Sequence, residues 1–119
     1  MPPSPALARD RLGVRLALTA LGQRRPNVAV CLVIDIPGGQ LEQYDAVMRK
    51  LGESGGTLGE GQTFHAAGPT DDGFTVIDVW NSREDFDRFL QGRLGEAIQE
   101  AGVPQPQIRE IPVHNEVRG

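Results

Sequence analysis

The chain has 119 residues, 39% hydrophobic and 24% charged, which allows one modest core and not two domains. Its net charge of −4 disfavours a general phosphate-backbone binder, because counterion release needs a dense basic face, so no nucleic-acid partner is expected. The single cysteine, Cys31, excludes an internal disulfide and a cysteine metal cluster, and no apolar stretch is long enough to engage a bilayer as a span.

Residues 1–26 read as an N-terminal extension. They hold LGVRLALTALG followed by QRRP, with Arg15 inside the apolar part and Arg24-Arg25 after it, the wrong order for a secretory signal. Either an amphipathic helix from about Ala6 to Leu21 or a disordered leader fits. The folded domain is expected over 27–115, with a tail at 116–119, in a reduced cytoplasmic compartment.

Val28 to Ile36 (VAVCLVIDI) is β-branched and almost wholly apolar, which predicts a central strand. Pro37-Gly38-Gly39 stops it. Leu41, Tyr44, Val47, Met48 and Leu51 recur at helical spacing, predicting a helix over 40–51 closed by Gly52. Glu53 to Gly61 is a glycine-rich loop without the Gly-Lys-Ser/Thr of a phosphate loop. Gln62 to Ala67 and Phe74 to Trp80 are two strands, joined as a hairpin by Gly68-Pro69-Thr70-Asp71-Asp72-Gly73.

Ser82 is the expected N-cap of a second helix whose apolar stripe runs from Phe86 to Ala101. Gly92 and Gly95 weaken its middle, as a break or as a close packing contact. Gly102, Pro104 and Pro106 end it. Gln107 to His114 is the last strand, placed at an edge or ended early by Pro112. The order is βαββαβ: an α+β, ferredoxin-like fold with a four-stranded antiparallel sheet and helices on one face. The other face of that sheet has nothing in the chain to cover it.

Val79-Trp80 followed at once by Asn81-Ser82-Arg83-Glu84-Asp85-Phe86, together with the first strand running into a Pro-Gly turn and an amphipathic helix, resembles the dimeric α/β-barrel superfamily. The likeness is greatest to its proteins similar to antibiotic biosynthesis monooxygenases. It covers roughly Val28 to Asn115. It implies a homodimer whose sheets pack face to face, and a small-molecule pocket between sheet and helices in each protomer. The haem-degrading branch pairs this tryptophan with a strand-one asparagine and a following histidine. Both are missing here, so haem degradation is disfavoured.

His65, mid-strand beside Ala66, Ala67 and Gly68, is the first candidate for chemistry. A histidine moves protons near neutral pH, although a strand histidine satisfied by a backbone carbonyl fits as well. Asp78 and Asp35, near the ends of apolar strands, are candidates to orient it or are strand-end acids with their heads in water. Trp80 and Tyr44 are candidate walls of a ligand pocket, or core packing. His114 either faces a pocket mouth or is solvated. The two histidines match no metal-ligand spacing, so no metal is expected.

These residues and the resemblance point to a small enzyme without a cofactor, acting on an aromatic or polyketide-like molecule. It would be monooxygenase-like, with His65 as general base. A cyclase or isomerase of secondary metabolism on the same fold is the alternative, as is a non-catalytic ligand-binding or dimerisation protein.

Overall fold

The structure, a computed structural model, describes residues 28–119. The expected leader helix lies outside the described residues. The elements are β1 (Val30–Pro37), α1 (Leu41–Glu53), β2 (Gln62–Thr70), β3 (Gly73–Trp80), α2 (Arg83–Gln91), α3 (Arg93–Ala101) and β4 (Gln107–Pro112). They build one four-stranded sheet in the order β2-β3-β1-β4, with every neighbouring pair antiparallel. This is the expected βαββαβ layout: each helical crossover skips one strand, and the skipped strand pairs with both of those it separates.

Strand alternation divides the sheet into two unlike faces. Val30, Leu32, Ile34 and Ile36 of β1 lie beside Trp80, Asp78, Val76 and Phe74 of β3 on the helix-covered face. There Val30, Leu32, Trp80 and Phe86 form one core cluster, and Val47, Leu51 and Ala97 another. Phe89 and Leu94 pack against both. The opposite face carries Phe64 beside Val79, Cys31 and Ile111, with Ala66, Ile77, Val33 and Arg109 in the next row. Phe64 is 48% exposed, Ile77 39% and Ile111 43%, so the described residues cover β1 on one face only.

The second helical region is two helices. At Gly92 the backbone (φ −109°, ψ −120°) leaves the helical path, and α3 begins at the next residue. Gly95 serves the other purpose expected of these glycines. A β-carbon there would stand 2.3 Å from the Leu90 carbonyl oxygen, so only glycine lets α3 begin so close to the end of α2. Ser82 caps α2 as expected, its hydroxyl accepting from the Asp85 N–H.

Several expected boundaries move, β1 among them, which runs from Val30 to Pro37. Helix α1 runs past Gly52 to Glu53, where the Ser54 N–H bonds back to Leu51 and Lys50. The hairpin turn is only Asp71-Asp72, and β2 continues through Pro69, since an outermost strand leaves one side of its backbone unpaired. Strand β4 is an edge strand and ends at Pro112.

Candidate functional site

Register decides what the helix-covered face presents. A bulge between Gln62 and Phe64 shifts β2, and His65 then lies directly opposite Asp78. Helix α1 crosses above them and brings Tyr44 down onto the imidazole. The result is a continuous chain of hydrogen bonds through three elements. Tyr44 Oη lies 2.6 Å from His65 Nε2, His65 Nδ1 lies 2.7 Å from Asp78 Oδ1, and Trp80 Nε1 donates to Asp78 Oδ2 at 3.2 Å. The phenol and imidazole planes are within 4° of parallel, with ring centroids 5.9 Å apart.

The chemistry of the partners orients this chain. An ionised carboxylate only accepts, and an indole N–H only donates. With Asp78 ionised, His65 holds its proton on Nδ1, and the lone pair of a neutral imidazole is on Nε2, where the Tyr44 hydroxyl donates to it. Asp78 is buried and takes a donor on each oxygen, which is how a carboxylate is tolerated away from water. Burial pushes the Tyr44 phenol above its ordinary value of 10.0, and the carboxylates of Asp78 and Asp45 push it the same way. Tyr44 is therefore held as a neutral donor.

The chain forms one end of a cavity of about 90 Å³ between the sheet and the helices. Tyr44, His65 and Asp78 line that end, and Gln62 and Thr57 add polar groups from the segment entering β2. The remaining wall is apolar, with Ile34 and Val76 from the sheet and Met48, Phe89, Leu94 and Ile98 from the helices among its members.

The glycine-rich segment that closes this side is pinned. Arg93 donates to the Leu51 and Gly56 carbonyls at 3.3 and 2.9 Å while its guanidinium lies over the Phe89 ring at 5.2 Å. Gly59 passes so close to the core that a β-carbon would meet Trp80 at 2.6 Å and Phe89 at 2.8 Å.

The sequence candidates separate into two groups. His65, Asp78 and Tyr44 come together at the cavity. Trp80 stands behind them: fully buried and off the cavity wall, it holds Asp78 and is not a surface for a ligand to stack on. Asp35 is on the opposite face of the sheet, exposed, and accepts from the Thr75 hydroxyl at 2.5 Å, so it orients nothing in the cavity. His114 lies exposed beyond the end of β4 and does not line the cavity. Gln62, Thr57 and the clamp residue Arg93 were not legible as site residues, because their places depend on the path of the loop. Among the described residues, no cluster of three or more histidine, cysteine or acidic side chains is placed to hold a metal ion. No helix among them is long and apolar enough to cross a membrane.

No protein-family model matches the sequence, and no curated protein matches it significantly. Solved structures do. SnoaB, a cofactor-independent oxygenase from Streptomyces nogalater, is 14% identical, with a TM-score of 0.54 over 77% of this chain and 99% of its own. A conserved protein of Bacteroides thetaiotaomicron described as a possible oxidoreductase is 14% identical, with a TM-score of 0.53 over 73% of this chain and 99% of its own. A conserved protein of Methanosarcina mazei is also 14% identical, with a TM-score of 0.53 over 72% of this chain and 93% of its own. The chain thus shares the fold of these proteins, the ferredoxin-like layout that its sequence resemblance implied.

Proposed function

We propose that this protein is a small monooxygenase-like enzyme that acts on a hydroxylated aromatic molecule without a bound cofactor, with His65 as general base. The observation that carries this reading is the Tyr44–His65–Asp78 chain at the polar end of an otherwise apolar cavity. The fold shared with a cofactor-independent oxygenase supports it. Asp78 fixes the imidazole so that Nε2 faces the cavity, and a substrate hydroxyl takes the place of the Tyr44 hydroxyl there. Its proton passes to Nε2, and the aryloxide spreads its charge onto a ring carbon. That carbon forms a bond to O₂. Loss of its hydrogen as a proton, with cleavage of the O–O bond, leaves a carbonyl and releases water. One oxygen atom enters the product and one enters water, and the substrate supplies all four electrons. The protein supplies a base, orientation and a largely apolar cavity.

The enzyme acts as a homodimer on this reading. The face bearing Phe64, Ile77, Val79, Cys31 and Ile111 is the apolar surface that the second sheet covers.

Oxygen consumption with a panel of hydroxyarenes tests the reaction. The wild type is expected to consume O₂ with a member of the panel, and His65→Ala to lose that activity. Conversion of a substrate without O₂ uptake would favour the isomerase or cyclase alternative. Oxygen uptake that survives in His65→Ala would overturn His65 as the base.

A further inference from the structure

The size and charge of the cavity narrow its ligand. We infer that the site takes a small, uncharged molecule of a single aromatic ring bearing a hydroxyl, and rejects aromatic acids and fused polycycles. The inference rests on the reading of His65 as base, and goes beyond it in naming what the base can reach.

Volume sets the upper bound. Cavities that hold drug-sized ligands run to about 300–1,000 Å³, and an engineered apolar cavity of about 150 Å³ accommodates benzene. At about 90 Å³, this cavity admits one ring only with small movements of its walls. A fused tricycle needs several side chains displaced. Those at the helix side are not loose: Phe89 lies under the Arg93 guanidinium and against Trp80, and the segment bearing Thr57 is held through the Gly56 carbonyl. Met48 is the half-buried, unbranched exception.

Charge sets the second bound. Among the described residues, no lysine or arginine lines the cavity, and the ionisable groups that do are Tyr44, His65 and Asp78. A carboxylate or phosphate entering it would give up its hydration beside the Asp78 carboxylate, and would be compensated only by protonating His65, which removes the base. A neutral hydroxyl loses little on entry and takes the place of the Tyr44 hydroxyl as donor to Nε2. Its negative charge then develops only as the imidazole takes the proton, where the imidazolium neutralises it.

The test uses the full-length protein labelled with ¹⁵N, with the His65 imidazole resonances as readout and His114→Gln to identify them. The probes are phenol, benzoate and anthrone. Saturable movement of the His65 signals with phenol, and none with benzoate or anthrone at equal concentration, is the expected result. In Met48→Ala, which lengthens the cavity, naphthol is expected to move the same signals while leaving those of the wild type in place. Anthrone moving the His65 signals of the wild type as strongly as phenol would overturn the size limit and leave His65 as the base intact. Benzoate binding as well as phenol would overturn the charge limit in the same way. If no probe moves His65 in either protein, the cavity is not a binding site at all, and the base reading falls with the inference.

Discussion

Trp80 donates its indole N–H to Asp78, two residues earlier on the same strand, at 3.2 Å, and so occupies the carboxylate oxygen that His65 does not use. A fully buried tryptophan thereby fixes the acid that fixes the histidine. Asp78→Asn breaks this arrangement, because an amide has one acceptor for two donors. Unless the His65 proton moves to Nε2, which removes the lone pair assigned to the base, either the His65 Nδ1–H or the Trp80 N–H is left facing an NH₂ group. A buried donor without a partner costs about 1–3 kcal/mol, and the variant is expected to lose stability of that order. Urea unfolding followed by the fluorescence of Trp80, the chain's one tryptophan, measures it. Wild-type stability in Asp78→Asn would mean that the His65 proton has moved to Nε2 or that the two hydrogen bonds do not coexist.

The chain also has one tyrosine, so its phenolate absorbance reports Tyr44 alone. With the folded phenol raised above 10.0, the unfolded chain ionises first as pH rises. The folded state then holds the extra proton, so stability falls with rising pH. The contribution is fully present below pH 10.0 and is lost as pH passes up through the folded value. The expected titration midpoint in the native protein is above 10.0, and it should drop toward 10.0 in urea. A native midpoint at or below the denatured one would contradict the buried, acid-flanked placement of Tyr44.

Tyr44→Phe keeps the ring and deletes the hydroxyl donated to His65. The loss of one such bond predicts a decrease in stability of about 0.5–1.5 kcal/mol. The same change leaves Nε2 open, so phenol is expected to bind the variant more tightly than the wild type in a calorimetric titration. Weaker binding would show that Tyr44 holds the ligand instead of competing with it.

Ile77 lies in the middle strands of the open face, between Ala66 and Val33. Ile77→Asp places a charge where the proposed second sheet packs. Sedimentation velocity is expected to show a dimer for the wild type and a monomer for the variant, both folded by circular dichroism. A monomeric wild type would remove the homodimer.

Gly59→Ala introduces a methyl group that would overlap Phe89 and the fully buried Trp80. Overpacking of this kind costs about 1–3 kcal/mol, and a lowered Tm in calorimetry is expected. An unchanged Tm would mean that the loop does not pass over the indole.

Much of this was legible in the sequence, for identifiable reasons. Alternation along FTVIDVW puts Asp78 and Trp80 on one face whatever the strand pairs with. Helical spacing puts Tyr44 on the buried side of α1. The side of the sheet taken by His65 was not legible. It depends on the bulge after Gln62, and one residue of slip reverses it. Asp35 shows the converse: it is as near a strand end as Asp78, and only its pairing with Thr75 reveals the opposite face. Trp80 was readable as buried but not as the donor to Asp78, because a hydrogen bond between side chains is set by rotamers that sequence patterning does not encode.

The proposed function turns on His65 removing a hydroxyl proton from a molecule in the cavity. Its most direct measurement is the exchange of ring hydrogens of resorcinol for deuterium in buffered D₂O under nitrogen, followed by proton NMR. An aryloxide formed by the base takes a deuteron at carbon, so exchange reports deprotonation with the oxygen step removed. The account predicts exchange above the buffer rate with the wild type, a reduced rate with Asp78→Asn, and the buffer rate with His65→Ala. Equal rates for the wild type and His65→Ala would contradict it.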